Sequence, residues 1–144
     1  MKALRISLGI LFVLLVTAMT PLSAKEQKSI FYNVTTDEAW KAGMALAQAN
    51  GALKKGYKII IHLNTRAVFI ASKSFASDVN GLSGKSLQDM LKAMMDKGAQ
   101  VLMCPMCTKK AGLTKDDLME GVIMGGPDVT LKAMTADDTT VISY

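Results

Sequence analysis

Apolar positions along the chain alternate between two rhythms. Compact runs rich in β-branched and aromatic residues recur at 29–34 (SIFYNV), 57–63 (YKIIIHL), 99–104 (AQVLMC), 121–125 (GVIMG) and 139–144 (TTVISY). Short runs of this kind, bounded by turn formers, predict strands, and the β-branched and aromatic run at 29–34 predicts a buried one. Between them the spacing changes to that of helices. Thr35-Thr36-Asp37-Glu38 reads as a capping box, with the Thr35 hydroxyl accepting an amide hydrogen and Glu38 reaching back. The predicted helix carries Trp40, Met44, Ala47 and Gly51 on one stripe, with Leu46 and Leu53 beside it and Trp40 packing at the helix start. It ends at Lys54-Lys55-Gly56, cations followed by glycine. Ser86 caps a second helix whose Leu87, Met90, Leu91, Met94 and Met95 recur at i, i+3, i+4, i+7 and i+8, and Gly98 closes it.

The later part of the chain repeats the alternation. A short helix runs from Cys104 to Gly112, Thr114-Lys115-Asp116-Asp117 opens another, and Gly126-Pro127-Asp128 starts a last one through Met134. Residues 64–85 are less regular. RAVFIASKSF (66–75) has the composition of a short helix, and SDVNGLSGK (77–85) that of a loop. An insertion of this length at a strand end serves as a lid or a contact surface. Its apolar Val68, Phe69, Ile70 and Phe75 favour an oligomer contact. Strands alternating with helices predict an α/β sandwich around a five-stranded, largely parallel sheet with right-handed crossovers. No internal repeat and no linker divides it.

The amino terminus changes how the rest is read. MKALRISLGILFVLLVTAMTPLSA has Lys2 and Arg5, an apolar stretch from Ile6 to Val16, then Pro21 and small residues, the order of a secretory signal peptide. The stretch is shorter than the roughly 20 residues of a spanning helix, so no membrane attachment is expected after cleavage. Residues 1–24 form the expected signal peptide, cleaved after Ala24 with Ala18 as the alternative, and residues 25–144 form the domain. The expected location is the periplasm. Removing the segment lowers the formal net charge from +5 to +3. The remaining lysines, including Lys54, Lys55 and Lys58, have no interleaved aromatic platform, which argues against nucleic-acid binding.

The whole cysteine content lies in VLMCPMCTKKAG, residues 101–112. A bridge between Cys104 and Cys107 would close too small a ring to staple the fold, which turns attention to reactivity. Ligands bind beyond the carboxyl ends of strands in open parallel sheets, and both cysteines fall on that edge. Pro105 suits the first helical position, which puts Cys104 at the N-cap with free amide hydrogens aimed at its sulfur. Those donors would hold Cys104 as the reactive thiolate, and Cys107, one turn on, would resolve it. His62, the sole histidine, could act as a proton shuttle if the second and third strands are neighbours; hydrogen bonding within the sheet edge is the plainer role. Lys109 and Lys110 could attract an anionic sulfur donor, although such pairs are usually solvated. Met103, Cys104, Met106 and Cys107 offer four soft sulfurs suited to Cu(I), but strand alternation points Met103 away from Cys104. A resident cofactor is not expected, and zinc would need two ligands beyond the cysteines.

Three stretches, FYNVTTDEAWKAGMALAQANGALKKGYKIIIHLN, SLQDMLKAMMDKGAQVLMCPMC and GVIMGGPDVTLKAMTADDTTVISY, together resemble the DsrE/DsrF-like family over nearly all of the mature chain. The resemblance implies a three-layer α/β/α domain and assembly into trimers or hexamers. It also implies a persulfide-carrying cysteine just after the third strand, a position that Cys104 occupies. The implied partners are sulfur donor and acceptor proteins or small sulfane-sulfur compounds. Cys107 departs from the single-cysteine relay pattern and adds dithiol chemistry. Export departs from the cytoplasmic setting of the family's relays. The expected function is therefore a periplasmic sulfur carrier or sulfurtransferase-like protein. Soft-metal capture and dithiol–disulfide exchange are the alternatives.

Overall fold

A computed structural model describes residues 27–76 and 83–144; the expected signal peptide and part of the SDVNGLSGK loop lie outside the described residues. Five strands are present: β1 (Ser29–Val34), β2 (Lys58–Leu63), β3 (Gln100–Met103), β4 (Ile123–Met124) and β5 (Thr139–Ser143). They form one sheet in the order β4-β3-β2-β1-β5, with every neighbouring pair parallel. The helices are α1 (Ala39–Lys54), α2 (Leu87–Met95), α3 (Pro105–Lys110) and α4 (Pro127–Met134).

Strand alternation divides the core between two faces of the sheet. Tyr32, Val34, Ile59, Ile61, Leu63, Val101 and Met103 form the larger cluster with Leu46 of α1 and Leu87, Leu91 and Met94 of α2. Full burial of each large side chain contributes about 1.5–3 kcal/mol, so this face carries most of the stability. The opposite face is thinner. There Phe31, Ile60 and Leu102 are covered by Ala133 and Met134 of α4. With helices on both faces, the α/β/α sandwich is as the sequence predicts.

Several local expectations are corrected. The buried face of α1 is Ala42, Ala45, Leu46 and Ala49, whereas Trp40 is 74 % and Met44 41 % exposed. The core thus selects the small residues and lets helix and sheet approach closely, leaving the Trp40 stripe in solvent. Glu38, not Thr35, caps this helix: its carboxylate accepts from the amides of Trp40 (2.8 Å) and Lys41 (2.9 Å). Thr35 instead bonds the backbone carbonyl of Tyr144 through its hydroxyl, at 2.7 Å.

Residues 114–117 form a single 3-10 turn at Lys115–Asp117 rather than a helix. The chain there pairs with the segment after residue 71: Lys73 N donates to Asp117 O at 2.8 Å and Met119 N to Ala71 O at 2.8 Å. Val68 and Ile70 are fully buried in the core, so of the four apolar residues expected to form a contact surface in the 66–75 segment only Phe69 and Phe75 stay partly exposed. Strand β4 is only two residues long because Gly121, at φ +85°, still belongs to the preceding turn. Gly125 ends it against Leu102, where an added Cβ would lie 3.0 Å from Leu102 Cβ.

Candidate functional site

The β3–α3 junction is built by the sequence Met103-Cys104-Pro105. Met103 completes the strand inside the core, and the Cys104 amide makes one further ladder bond, to Leu63 O at 3.0 Å. Pro105 has no N–H to continue a ladder and a φ already suited to a helix, so the chain turns there. Cys104 is the N-cap, and its Sγ accepts the Cys107 amide hydrogen at 3.4 Å. Its carbonyl accepts from both the amide (2.9 Å) and the hydroxyl (2.8 Å) of buried Thr108. Both ends of the cap are therefore tied down. The predicted cap is where the structure puts it.

Both thiols are free and half-buried, but their surroundings differ. Burial pushes the Cys107 thiol above its ordinary range, and the neighbouring Cys104 sulfur pushes it further; the Thr65 amide and Lys110 oppose this less strongly. Cys107 also lines a cavity of about 430 Å³ with Thr65, Arg66, Phe69, Lys110 and Ala111. Arg66 is aimed by a two-pronged pair with Asp37, Nε to Oδ1 at 2.9 Å and Nη2 to Oδ2 at 2.7 Å. Its guanidinium also rests 5.4 Å from the Phe69 ring centroid.

Thr65, at the head of the 3-10 turn Thr65–Ala71, is the only non-glycine residue among those described with positive φ, +46°. Its hydroxyl is held by the Thr35 carbonyl. A non-glycine residue in the left-handed region costs of order 1 kcal/mol or more and persists where its surroundings dictate it. Here that conformation turns the chain from the end of β2 across the mouth of the cavity.

The chain's strand order reverses between β1 and β5, where an open sheet would offer its usual crevice. There Tyr144 continues the β1–β5 ladder, its N donating to Asn33 O at 2.9 Å and its O accepting from Thr35 N at 3.0 Å. The cavity lies instead two strands away, beside β2 and β3.

His62 is half-buried on β2, and β2 does adjoin β3, as the shuttle role required. Its described contacts are those of the plainer role. Nδ1 is 3.2 Å from Asn33 Oδ1 and 3.3 Å from Asn64 Nδ2, and the ring is 5.7 Å from that of Phe31. Burial lowers its pKa, favouring the neutral ring. Cys104 and Cys107 are thus brought together, while His62 is absent from the lining of the Cys107 cavity. Met103 is fully buried and Met106 is 82 % exposed, so the four sulfurs do not converge. Among the described residues no group of three or more His, Cys, Asp or Glu could hold a metal ion; the two thiols are the soft donors at hand.

Residues 28–142 match the DsrE/DsrF-like family. The chain belongs to this family. It is 33 % identical over 81 residues to the uncharacterized protein MJ0989 of Methanocaldococcus jannaschii, a match covering 56 % of this chain and 68 % of that protein. Two solved structures share the DsrE-like fold. The ychN protein from E. coli has a TM-score of 0.66 at 20 % identity, covering 82 % of this chain and 99 % of that one. MTH1491 from Methanobacterium thermoautotrophicum, a protein of unknown function, has a TM-score of 0.67 at 11 % identity, covering 82 % and 100 %. The chain thus has a sulfur-relay-like fold.

Sequence reasoning about this family member missed Thr65, Arg66 and Phe69 as parts of the site. One signal was present. Ala67, Val68, Ile70 and Ala71 follow helical spacing and are buried, which puts Arg66 and Phe69, three apart, on the other side of the turn.

Proposed function

We propose that this protein is an exported sulfur carrier that holds sulfane sulfur as a persulfide on Cys104, with Cys107 as the resolving thiol. The observation that carries the proposal is the asymmetric pair at the β3–α3 junction. Cys104 Sγ receives an amide hydrogen, whereas burial and the adjacent sulfur keep Cys107 protonated. In the loading step, the Cys104 thiolate attacks the sulfane sulfur of a donor. A new S–S bond forms, the donor's S–S bond breaks, and the electron pair leaves on the departing group. Delivery then follows one of two balanced routes. An acceptor thiolate attacks the outer sulfur and restores the Cys104 thiolate. Alternatively, the Cys107 thiol attacks the inner sulfur, giving a Cys104–Cys107 disulfide and hydrosulfide, and a dithiol reductant resets the pair.

Membership in the family supports sulfur-relay partner proteins at a coarse level. The periplasmic setting rests on the pattern of residues 1–24. Among the described residues no helix is long and apolar enough to cross a membrane. We also assign self-association to the thin face of the sheet, where Ile123, Val129, Leu131 and Val141 are exposed.

Intact mass spectrometry of protein isolated natively from the periplasm tests the carrier role. Addition of one sulfur that disappears in Cys104→Ser supports it. A metal adduct instead supports soft-metal capture, and a standing loss of two hydrogens without any sulfur-loaded form supports dithiol exchange.

A further inference from the structure

The cavity beside Cys107 is more specific than a place where two thiols meet solvent. Its walls divide by chemistry: Phe69 and Ala111 are apolar, while Arg66 and Lys110 are cationic. Asp37 occupies one edge of the Arg66 guanidinium and neutralises it in part. Lys110 makes no ion pair among the described residues, so it supplies the uncompensated positive charge. Lys110 also acts electrostatically on the Cys107 sulfur, and Cys107 N is bonded to Cys104 Sγ. Cation and cavity therefore meet at Cys107, and Cys104, which is not itself among the lining residues, adjoins them through its sulfur's bond to the Cys107 amide.

Resting on the carrier role above, we propose that this cavity is the donor subsite, and that the donor is a small thiosulfonate-type anion. Such a donor has a terminal sulfane sulfur bonded to an oxidised sulfur that departs as an oxyanion. Thiosulfate is its simplest member, and an aryl thiosulfonate adds an apolar body to lie against Phe69 and Ala111. The oxyanion end sits by Lys110 and the free side of Arg66, presenting the sulfane sulfur to Cys104. Attack by the Cys104 thiolate forms Cys104–S–S⁻. The donor's S–S bond breaks and its electron pair leaves with sulfinate, or with sulfite when thiosulfate is the donor. Charge and atoms balance without a further reactant. The two cations stabilise the charge that accumulates on the leaving group, an effect strengthened by the cavity's partial exclusion of water.

The test compares two donors on the full mature protein. Benzenethiosulfonate is anionic and leaves Cys104–S–S⁻ with benzenesulfinate. Dimethyl trisulfide is uncharged and, attacked at its central sulfur, leaves Cys104–S–S–S–CH3 with methanethiolate. Loading of Cys104 is followed by rapid quench and intact mass. Lys110→Gln is expected to lower the benzenethiosulfonate rate relative to the trisulfide rate by about tenfold, the usual effect of losing a charge-assisted bond to a developing anion. Phe69→Ala should lower loading from benzenethiosulfonate more than loading from thiosulfate. If both donors load Cys104 but Lys110→Gln alters their rates equally, the anion subsite is refuted and the carrier role stands. If neither donor loads Cys104, and only a persulfidated protein does, the subsite is refuted as well. If no sulfane-sulfur source of any kind loads Cys104, the carrier role itself fails.

Discussion

The influence of Cys104 on Cys107 leads to an outcome opposite to simple loss of function. Removing Cys104 should make Cys107 more reactive. Burial is the main cause that keeps the Cys107 thiol protonated, and the Cys104 side chain and its charge add to it. Cys104→Ala removes the second influence and leaves the first, while the Thr65 amide and Lys110 still pull toward thiolate. An ordinary thiol titrating near about 8.5 is roughly one-tenth ionised at pH 7.5, and Cys107 in the intact pair is below that. Lowering a thiol's midpoint by one pH unit raises its thiolate fraction about tenfold in this regime. Intrinsic nucleophilicity falls at the same time with a Brønsted slope of about 0.4–0.5, so the net gain is about threefold in rate.

The assay is iodoacetamide labelling across pH 6–10, with each cysteine followed by peptide mass spectrometry. In the intact protein Cys104 should label first. In Cys104→Ala the Cys107 midpoint should move down, with a rate gain of up to about threefold at pH 7.5. Loss of the cap could also fray the six-residue α3 and expose Cys107. Fraying would relieve burial and so lower the midpoint too, but it would also raise the high-pH plateau rate. Loss of the Cys104 influence alone lowers the midpoint with no rise in the plateau, so the plateau separates the two causes. Cys104→Ser, which retains a good capping side chain, provides the second control. A Cys107 midpoint that stays put or rises in Cys104→Ala, or Cys107 labelling first in the intact protein, would refute the assigned asymmetry.

Three further outcomes test other parts of the structure. Leu46→Ala should cost about 2–5 kcal/mol in urea unfolding because the side chain is fully buried, whereas Trp40→Ala, on the exposed stripe, should stay within about 0.5 kcal/mol. A larger loss at Trp40 than at Leu46 would reverse the orientation given for α1. His62 has a folded-state pKa lowered by burial, so its stabilising contribution is full above about pH 6.5. That contribution falls as the unfolded chain takes up the proton first, down to the folded midpoint; His62→Gln should flatten the pH–stability profile in this window. Finally, static light scattering should find an assembly larger than a monomer at micromolar concentration, and Leu131→Glu should shift it toward monomer. A strict monomer in the intact protein would remove the role assigned to the thin sheet face.

The strands and their parallel pairing were legible because the sheet-forming runs are short, rich in apolar residues and separated by helical segments, whereas their order in the sheet was not read from the sequence. Ser86 and Cys104 were legible as caps for a local reason: each side chain bonds an amide three residues on, so chain neighbours alone decide the geometry. Misreadings arose where distant segments decide. The stripe through Trp40 and Met44 is the more hydrophobic face of α1 by residue type, yet the sheet accepts Ala42, Ala45 and Ala49, because small residues allow close approach. Thr35 was drawn from its expected cap by Tyr144, 109 positions away. The 114–117 segment had a helix start but found partners near residues 71–73 before a second turn could form. Half of the site was hidden for the same reason. Nothing adjacent to Arg66 in the sequence shows that Asp37 will hold it beside Cys107.

The site lies at β3 rather than where the strand order reverses. In the order β4-β3-β2-β1-β5 the reversal falls between β1 and β5, where Tyr144 extends the ladder with two backbone bonds and accepts one more from the Thr35 hydroxyl. The cavity beside β3 is made where two segments meet. The turn after β2 brings Thr65, Arg66 and Phe69; the helix after β3 brings Cys107, Lys110 and Ala111. The two places are joined, because the Thr35 that binds Tyr144 also accepts the Thr65 hydroxyl through its carbonyl. Thr65 is thereby held in its left-handed conformation at the cavity's rim. The resulting site is small and close to the surface, with half-buried sulfurs rather than a deep enclosed chamber. Those dimensions suit brief custody of a single sulfur atom between a small donor and an acceptor thiol that must reach it from outside.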